Sequence, residues 1–123
     1  MSRLRSNIPF NIRRAEACKK YEKTKKGFLM RTYRNMKSRI LGIQHKKAHL
    51  YKGLELLDKE IFYSWSLNDQ NYNTLFDAWT DGSYDRKLTP SIDRIDSNKG
   101  YIKDNIRWIT HSQNSKQTKR WLY

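Results

Sequence analysis

The side chains in this chain best suited to chemistry on a phosphodiester are the carboxylate of Asp93, the imidazole of His111 and the amide of Asn114. Hydrolysis of such a bond needs a cation at the scissile phosphate to meet the developing charge, and an activated water. Asp93 is a hard oxygen ligand of the kind that suits Mg²⁺ or Mn²⁺. The amide oxygen of Asn114 can supply a second ligand, which leaves positions for water and phosphate. His111 and Asn114 are three residues apart, so one helix face can carry both towards a strand bearing Asp93. Taken singly, each residue also fits a plainer account: Asp93 and Arg94 as a surface ion pair worth ~0 to 1 kcal/mol, and His111 and Asn114 as polar decoration of a helix start.

Two other groups draw attention and carry less. His45 and His49 stand at i and i+4, a spacing that zinc ligands on a helix can use. The acidic residue that follows the first His in a zinc-hydrolase helix is Lys46 here, so the segment reads more simply as basic and facing a polyanion. Cys18 is the only cysteine, which excludes an internal disulfide and zinc sites built on paired cysteines; no structural zinc is expected.

A strand, a loop, a second strand and a helix must position the three side chains. Leu88 to Asp96 alternates around Ile92 and Ile95, with Pro90 at the place where an edge strand tolerates a missing donor. Asn105 to Thr110 carries Ile106, Trp108 and Ile109. The residues between them, Ser97-Asn98-Lys99-Gly100-Tyr101, have turn chemistry, so the strands are expected to pair antiparallel. Thr110 followed by Gln113 has the form of a capping box opening a last helix towards Arg120. Upstream, Leu29, Tyr33, Met36 and Ile40 recur at helical spacing, predicting a helix over 28–41. Asp58 can cap a helix over 58–67, and Tyr72, Leu75, Phe76 and Trp79 mark one over 70–80, their rings most simply core. The predicted fold class is α+β, mainly helical before a C-terminal hairpin-plus-helix unit over 88–120.

The 123 residues carry a formal charge of +14, and the excess is not evenly spread. Residues 1–50 hold fifteen of the lysines and arginines against only Glu16 and Glu22. Such a half repels itself unless a polyanion neutralises it, and nucleic acid is the first partner to consider. No apolar run reaches the ~18 residues of a spanning helix, and no secretory signal is visible at the N-terminus. The expected location is the cytoplasm, with no membrane partner. Residues 1–26 read as a basic arm, either a solvated tail or a DNA contact, and 27–123 as one domain.

The segments Pro90-Ser91-Ile92-Asp93-Arg94-Ile95-Asp96, Lys99-Gly100-Tyr101, Asp104-Asn105, Arg107-Trp108 and Thr110-His111-Ser112-Gln113-Asn114 resemble bacterial and phage HNH endonucleases of the ββα-metal type. The likeness extends upstream through Gly27-Phe28-Leu29-Met30-Arg31, Tyr33-Arg34-Asn35-Met36 and Lys46-Lys47-Ala48-His49-Leu50-Tyr51-Lys52-Gly53, so it spans roughly residues 27 to 116. It implies that Asp93 and Asn114 hold one Mg²⁺ or Mn²⁺ ion. It implies also that Asn105 is the central Asn that fixes the loop, and that the hairpin and last helix approach the scissile bond in the minor groove. The chain departs from the pattern at Arg94, which stands where the family usually has its general base; arginine stays protonated and cannot take a proton. Arg94 is therefore expected to clamp the phosphate while His111, or Asp96, activates water. A metal-activated water with no side-chain base and a site that has lost activity are the alternatives.

The expected function is DNA cleavage or nicking with one divalent ion, the chain acting on double-stranded DNA as a monomer or weak dimer. Expected catalytic residues are Arg94, His111 and Asn105. Expected DNA contacts are Arg31, Arg34, Lys37, Arg39, Lys46, Lys47, Lys99, Arg107 and Lys116. The competing expectation is a non-catalytic basic nucleic-acid-binding protein on a degenerate HNH scaffold.

Overall fold

A computed structural model describes residues 10–42, 51 and 53–121, with side chains over 16–42, 51 and 53–116. His45, Lys46, Lys47 and His49 lie outside the described residues.

Among the described residues four helices precede the hairpin: α1 (Phe10–Tyr21), α2 (Lys25–Ile40), α3 (Lys59–Leu67) and α4 (Gln70–Asp81). Helix α1 occupies much of what the charge pattern reads as an arm. Its sequence is rich in Ala, Arg, Lys and Glu, which lose little side-chain freedom in a helix. The side chain of Thr24 caps α2 by accepting from the amide of Gly27. Gly27 lies against the carbonyl of Tyr21, where a β-carbon would collide with backbone. Asp58 caps α3 by accepting from the amide of Glu60, as its helix-start signal predicts, and Asp69 caps α4 by accepting from the amide of Tyr72.

The sheet has two antiparallel strands, β1 (Pro90–Arg94) and β2 (Ile106–Thr110), with Ile92 opposite Trp108 and Asp93 opposite Arg107. Strand β1 is shorter than the expected 88–96 because Arg86–Leu88 forms a single 3-10 turn and the chain bends after Arg94. Helix α5 (His111–Trp121) follows β2 directly. Its start is the expected capping box: Gln113 donates its amide to Thr110 Oγ1 at 3.2 Å, and Thr110 donates to Gln113 Oε1 at 3.0 Å. The fold is thus mixed, mostly helix with one small antiparallel sheet.

Phe28, Phe62, Tyr72, Phe76, Trp79 and Trp108 build the core, joined by Leu29, Met36, Ile92, Tyr101 and Ile106. Trp108 ties sheet to helices. Only 1% exposed, it places its ring centroid 4.5 Å from that of Tyr72 and donates its indole N–H to Ser66 Oγ at 3.1 Å. The buried Ser66 hydroxyl is thereby accounted for, and Asn71 donates to the Trp108 carbonyl at 2.7 Å. Among the described residues no helix is long and apolar enough to cross a membrane.

Candidate metal centre and its supporting loop

Side chains alternate along a strand, so neighbours on β1 serve opposite faces. Ile92 packs into the core against the helices, and Ser91 and Asp93 therefore face the other way, towards α5. Asn114 reaches that face from the first turns of α5. Its amide nitrogen donates to Ser91 Oγ at 2.7 Å and to the carbonyl of Ile92 at 3.2 Å. Asp93 and Asn114 are thus brought to the same side of the strand. His111 opens α5, with its amide donating to the Thr89 carbonyl at 2.8 Å, and it shares a helix face with Asn114.

Asp93 is 2% exposed, an unusual place for a carboxylate. A buried charge is costly unless a countercharge meets it. Arg107, its cross-strand neighbour, donates Nε to Asp93 Oδ2 at 2.8 Å. Arg107 was expected to contact DNA; instead its guanidinium, about half exposed, sits on the candidate metal ligand.

Arg94 departs most from expectation. Alternation sends it to the face opposite Asp93, and it is 5% exposed. There its NH1 donates to the carbonyls of Ser97 at 2.9 Å and Lys99 at 3.1 Å. Its guanidinium lies 4.2 Å from the ring centre of Tyr51 and 5.7 Å from that of Tyr101, rings that stack on each other. A phosphate clamp beside Asp93 is not compatible with this placement. Arg94 pins the loop between the strands.

Asn105 holds the same loop from its other end. It is 4% exposed; its Oδ1 accepts from the amide of Asp96 at 2.8 Å, and its Nδ2 donates to the carbonyls of Asp96 at 3.0 Å and Gly100 at 2.9 Å. Asp96 is engaged in the turn, its Oδ1 accepting from the amide of Asn98 at 2.9 Å. Beyond the loop, Tyr101 donates its amide to the Glu55 carbonyl at 2.7 Å and accepts from Leu57 at 2.8 Å. Gly100 is required by that approach, since a β-carbon there would run into the backbone of Glu55.

The expected DNA contacts other than Arg107 divide in three. Arg31, Arg34 and Lys37 on α2, Lys99 in the loop and Lys116 on α5 are exposed. Glu22 meets both Arg31 and Arg34, at 3.5 and 3.6 Å. Arg39 is half-buried and donates to the Tyr101 hydroxyl at 3.2 Å, while Lys46 and Lys47 lie outside the described residues.

Among the described residues no three His, Cys, Asp or Glu side chains cluster, so a cation at Asp93 would take one carboxylate and one amide oxygen from the protein. That donor set is hard and all-oxygen, and Mg²⁺ commonly makes do with one or two carboxylates beside water and phosphate. The residues fit the ion. Sequence reading missed the roles of Ser91, Tyr51 and Arg107, although the strand period alone separates positions 93 and 94 and could have foretold the turn of Arg94. No family model, curated protein or solved structure matches the chain.

Proposed function

We propose that this chain is an endonuclease that hydrolyses phosphodiester bonds of double-stranded DNA with one divalent ion, Mg²⁺ or Mn²⁺, held by Asp93 and Asn114. The observation that carries the reading is a buried carboxylate, Asp93, on the strand face to which Asn114 is anchored through Ser91 and Ile92. The ion supplies positive charge to the scissile phosphate. Asp93 is held ready for a cation because its burial penalises an unpaired charge, and Arg107 supplies the countercharge in its absence. His111, on the Asn114 face of α5, is the general base: a neutral imidazole nitrogen can take a proton from the attacking water, which Arg94 cannot. Arg94 and Asn105 are positioning residues that fix the loop joining the strands. The likeness to HNH endonucleases and the charge of +14 support the same substrate.

One observation favours a second reading, a non-catalytic DNA-binding protein: the Asp93–Arg107 ion pair, at 2.8 Å, satisfies the carboxylate without a metal. Plasmid nicking with Mg²⁺, Mn²⁺ or EDTA separates the two. The nuclease reading expects cutting only with metal, and a loss of at least about a hundredfold in both Asp93→Ala and Asn114→Ala, the scale on which metal-site contacts usually count. Duplex binding without cutting under either metal establishes the second reading. Full activity in His111→Ala removes His111 as the base and leaves the metal centre standing.

A further inference from the structure

We infer that the cleft between α2 and the start of β1 is a separate phosphate subsite that takes a backbone phosphate of the duplex next to the one at Asp93. The inference rests on the proposed function and adds to it where the substrate is gripped.

The cleft encloses about 190 Å³, room for several waters at ~30 Å³ each, and so for a phosphate with part of its hydration. Arg31, Asn35 and Arg39 line it from α2, Thr89 and Ser91 from the approach to β1 and its second residue. The three helix residues stand at i, i+4 and i+8, which brings them along one side of the helix. None of the lining residues is acidic. A concave site with two guanidiniums, an amide and three hydroxyls, of which that of Thr32 gives its proton to the Phe28 carbonyl, has the donor chemistry of an anion site.

Preorganisation distinguishes the cleft from an ordinary basic surface. Arg39 is tethered by the Tyr101 hydroxyl at 3.2 Å, with its guanidinium 5.9 Å from the Tyr51 ring centre. Arg31 is met by Glu22 at 3.5 Å, a pairing that an incoming phosphate can replace. Ser91 joins the cleft to the metal centre. Its Oγ accepts from Asn114 Nδ2 at 2.7 Å, and a hydroxyl that accepts in this way still has its own proton to give. A phosphate in the cleft would therefore sit one hydrogen bond from the side chain that holds the ion. The groove along α3 and the turn that follows it offers the opposite chemistry, with Glu60 and Asp69 against Lys103.

Asn35 is exposed and lies outside the metal centre, so Asn35→Glu places a carboxylate in the cleft without touching the proposed catalytic groups. Ser64→Glu, in the acidic groove, makes the same change of net charge elsewhere, and Asn35→Gln controls for shape. Duplex binding by the full chain is titrated in EDTA over a series of salt concentrations, with inorganic phosphate as a competing probe. Asn35→Glu is expected to weaken binding about tenfold or more and to reduce the log-log salt slope by about one, one phosphate contact's share. Ser64→Glu is expected to stay within about threefold of the parent, and Asn35→Gln, which keeps the amide, to lose less than Asn35→Glu. Equal losses in Asn35→Glu and Ser64→Glu overturn the subsite. So does a cleft that takes inorganic phosphate while Asn35→Glu leaves duplex binding unchanged, since the ligand is then free phosphate. If the parent still nicks DNA in an Asp93-dependent way, only the subsite has failed; if it binds no duplex, the proposed function fails with it.

Discussion

Helices α2, α3 and α4 are held together by rings, and the segment between Arg94 and Asn105 by polar side chains bonded to the backbone. In the helical layer Phe28, Tyr72, Phe76 and Trp79 meet edge to face or tilted, at centroid separations of 5.1 to 6.4 Å for the contacts of Phe28 with Tyr72, Phe76 and Trp79. In the hairpin loop a buried arginine and a buried asparagine satisfy five backbone carbonyls and amides that the bend leaves without strand partners. Helices satisfy their own backbone groups and need only an apolar face, whereas an irregular loop carried inwards must find a partner for every N–H and C=O. The region beside the candidate chemistry is therefore the one whose shape depends on individual polar side chains.

Trp108 belongs to both regions, so its removal tests whether they stand as one unit. Trp108→Ala is expected to lose about 3–5 kcal/mol, the usual range for a buried aromatic, with sheet and helices unfolding in a single transition during urea titration. A helical signal that survives while the hairpin is lost would divide the molecule into two independent parts.

Regular elements were legible in the sequence because they write themselves locally: helical spacing at Leu29, Tyr33, Met36 and Ile40, the capping carboxylate of Asp58, and the Thr110–Gln113 box all recur in the structure. The face shared by Asp93 and Asn114 was legible for the same reason, since strand and helix periods fix it. What escaped was non-local. Tyr51 lies far along the chain from Arg94, and no pattern in sequence says that its ring will receive that guanidinium. The pairing of Arg107 with Asp93 depends on a register that the loop determines, and the loop's shape depends in turn on Asn105.

The second prediction sharpens the contrast. Asn105→Ala leaves the Asp96 amide and the Gly100 carbonyl short of partners in a buried loop. At about 1 kcal/mol for each lost bond, the cost is expected to be about 2–3 kcal/mol. Arg94→Lys keeps the charge but loses the planar group that lies over Tyr51 while bonding two carbonyls, and is expected to cost about 1–2 kcal/mol. Arg94→His is expected to leave nicking no faster, because position 94 points away from Asp93. An Arg94→Lys protein with parental stability and abolished nicking would return the guanidinium to the chemistry and end its assignment as a loop staple.

Alkaline pH separates the regions most finely, through one tyrosine in each. Burial pushes the Tyr72 hydroxyl well above the ordinary tyrosine range, with nothing opposing it. Burial also raises Tyr101, but the nearby guanidiniums of Arg39 and Arg94 pull it back down. In both cases the folded state holds its proton more tightly than the unfolded chain, whose tyrosines ionise near ~10. The stability linked to each is therefore complete below about pH 10 and is lost as pH rises above it, at up to about 1.4 kcal/mol per pH unit for each tyrosine until its folded form also ionises. Urea midpoints are expected to be nearly level from pH 7 to 9 and to fall between 10 and 11. Tyr72→Phe removes the bond to the Lys25 carbonyl at 2.7 Å, which lowers stability by about 1 kcal/mol below pH 10, and it makes the alkaline fall above that pH shallower. Tyr101→Phe is expected to flatten the fall less, since its folded form ionises sooner beside two arginines. Equal flattening by the two variants would mean that the guanidiniums of the loop do not act on Tyr101 and that burial governs both sites alike.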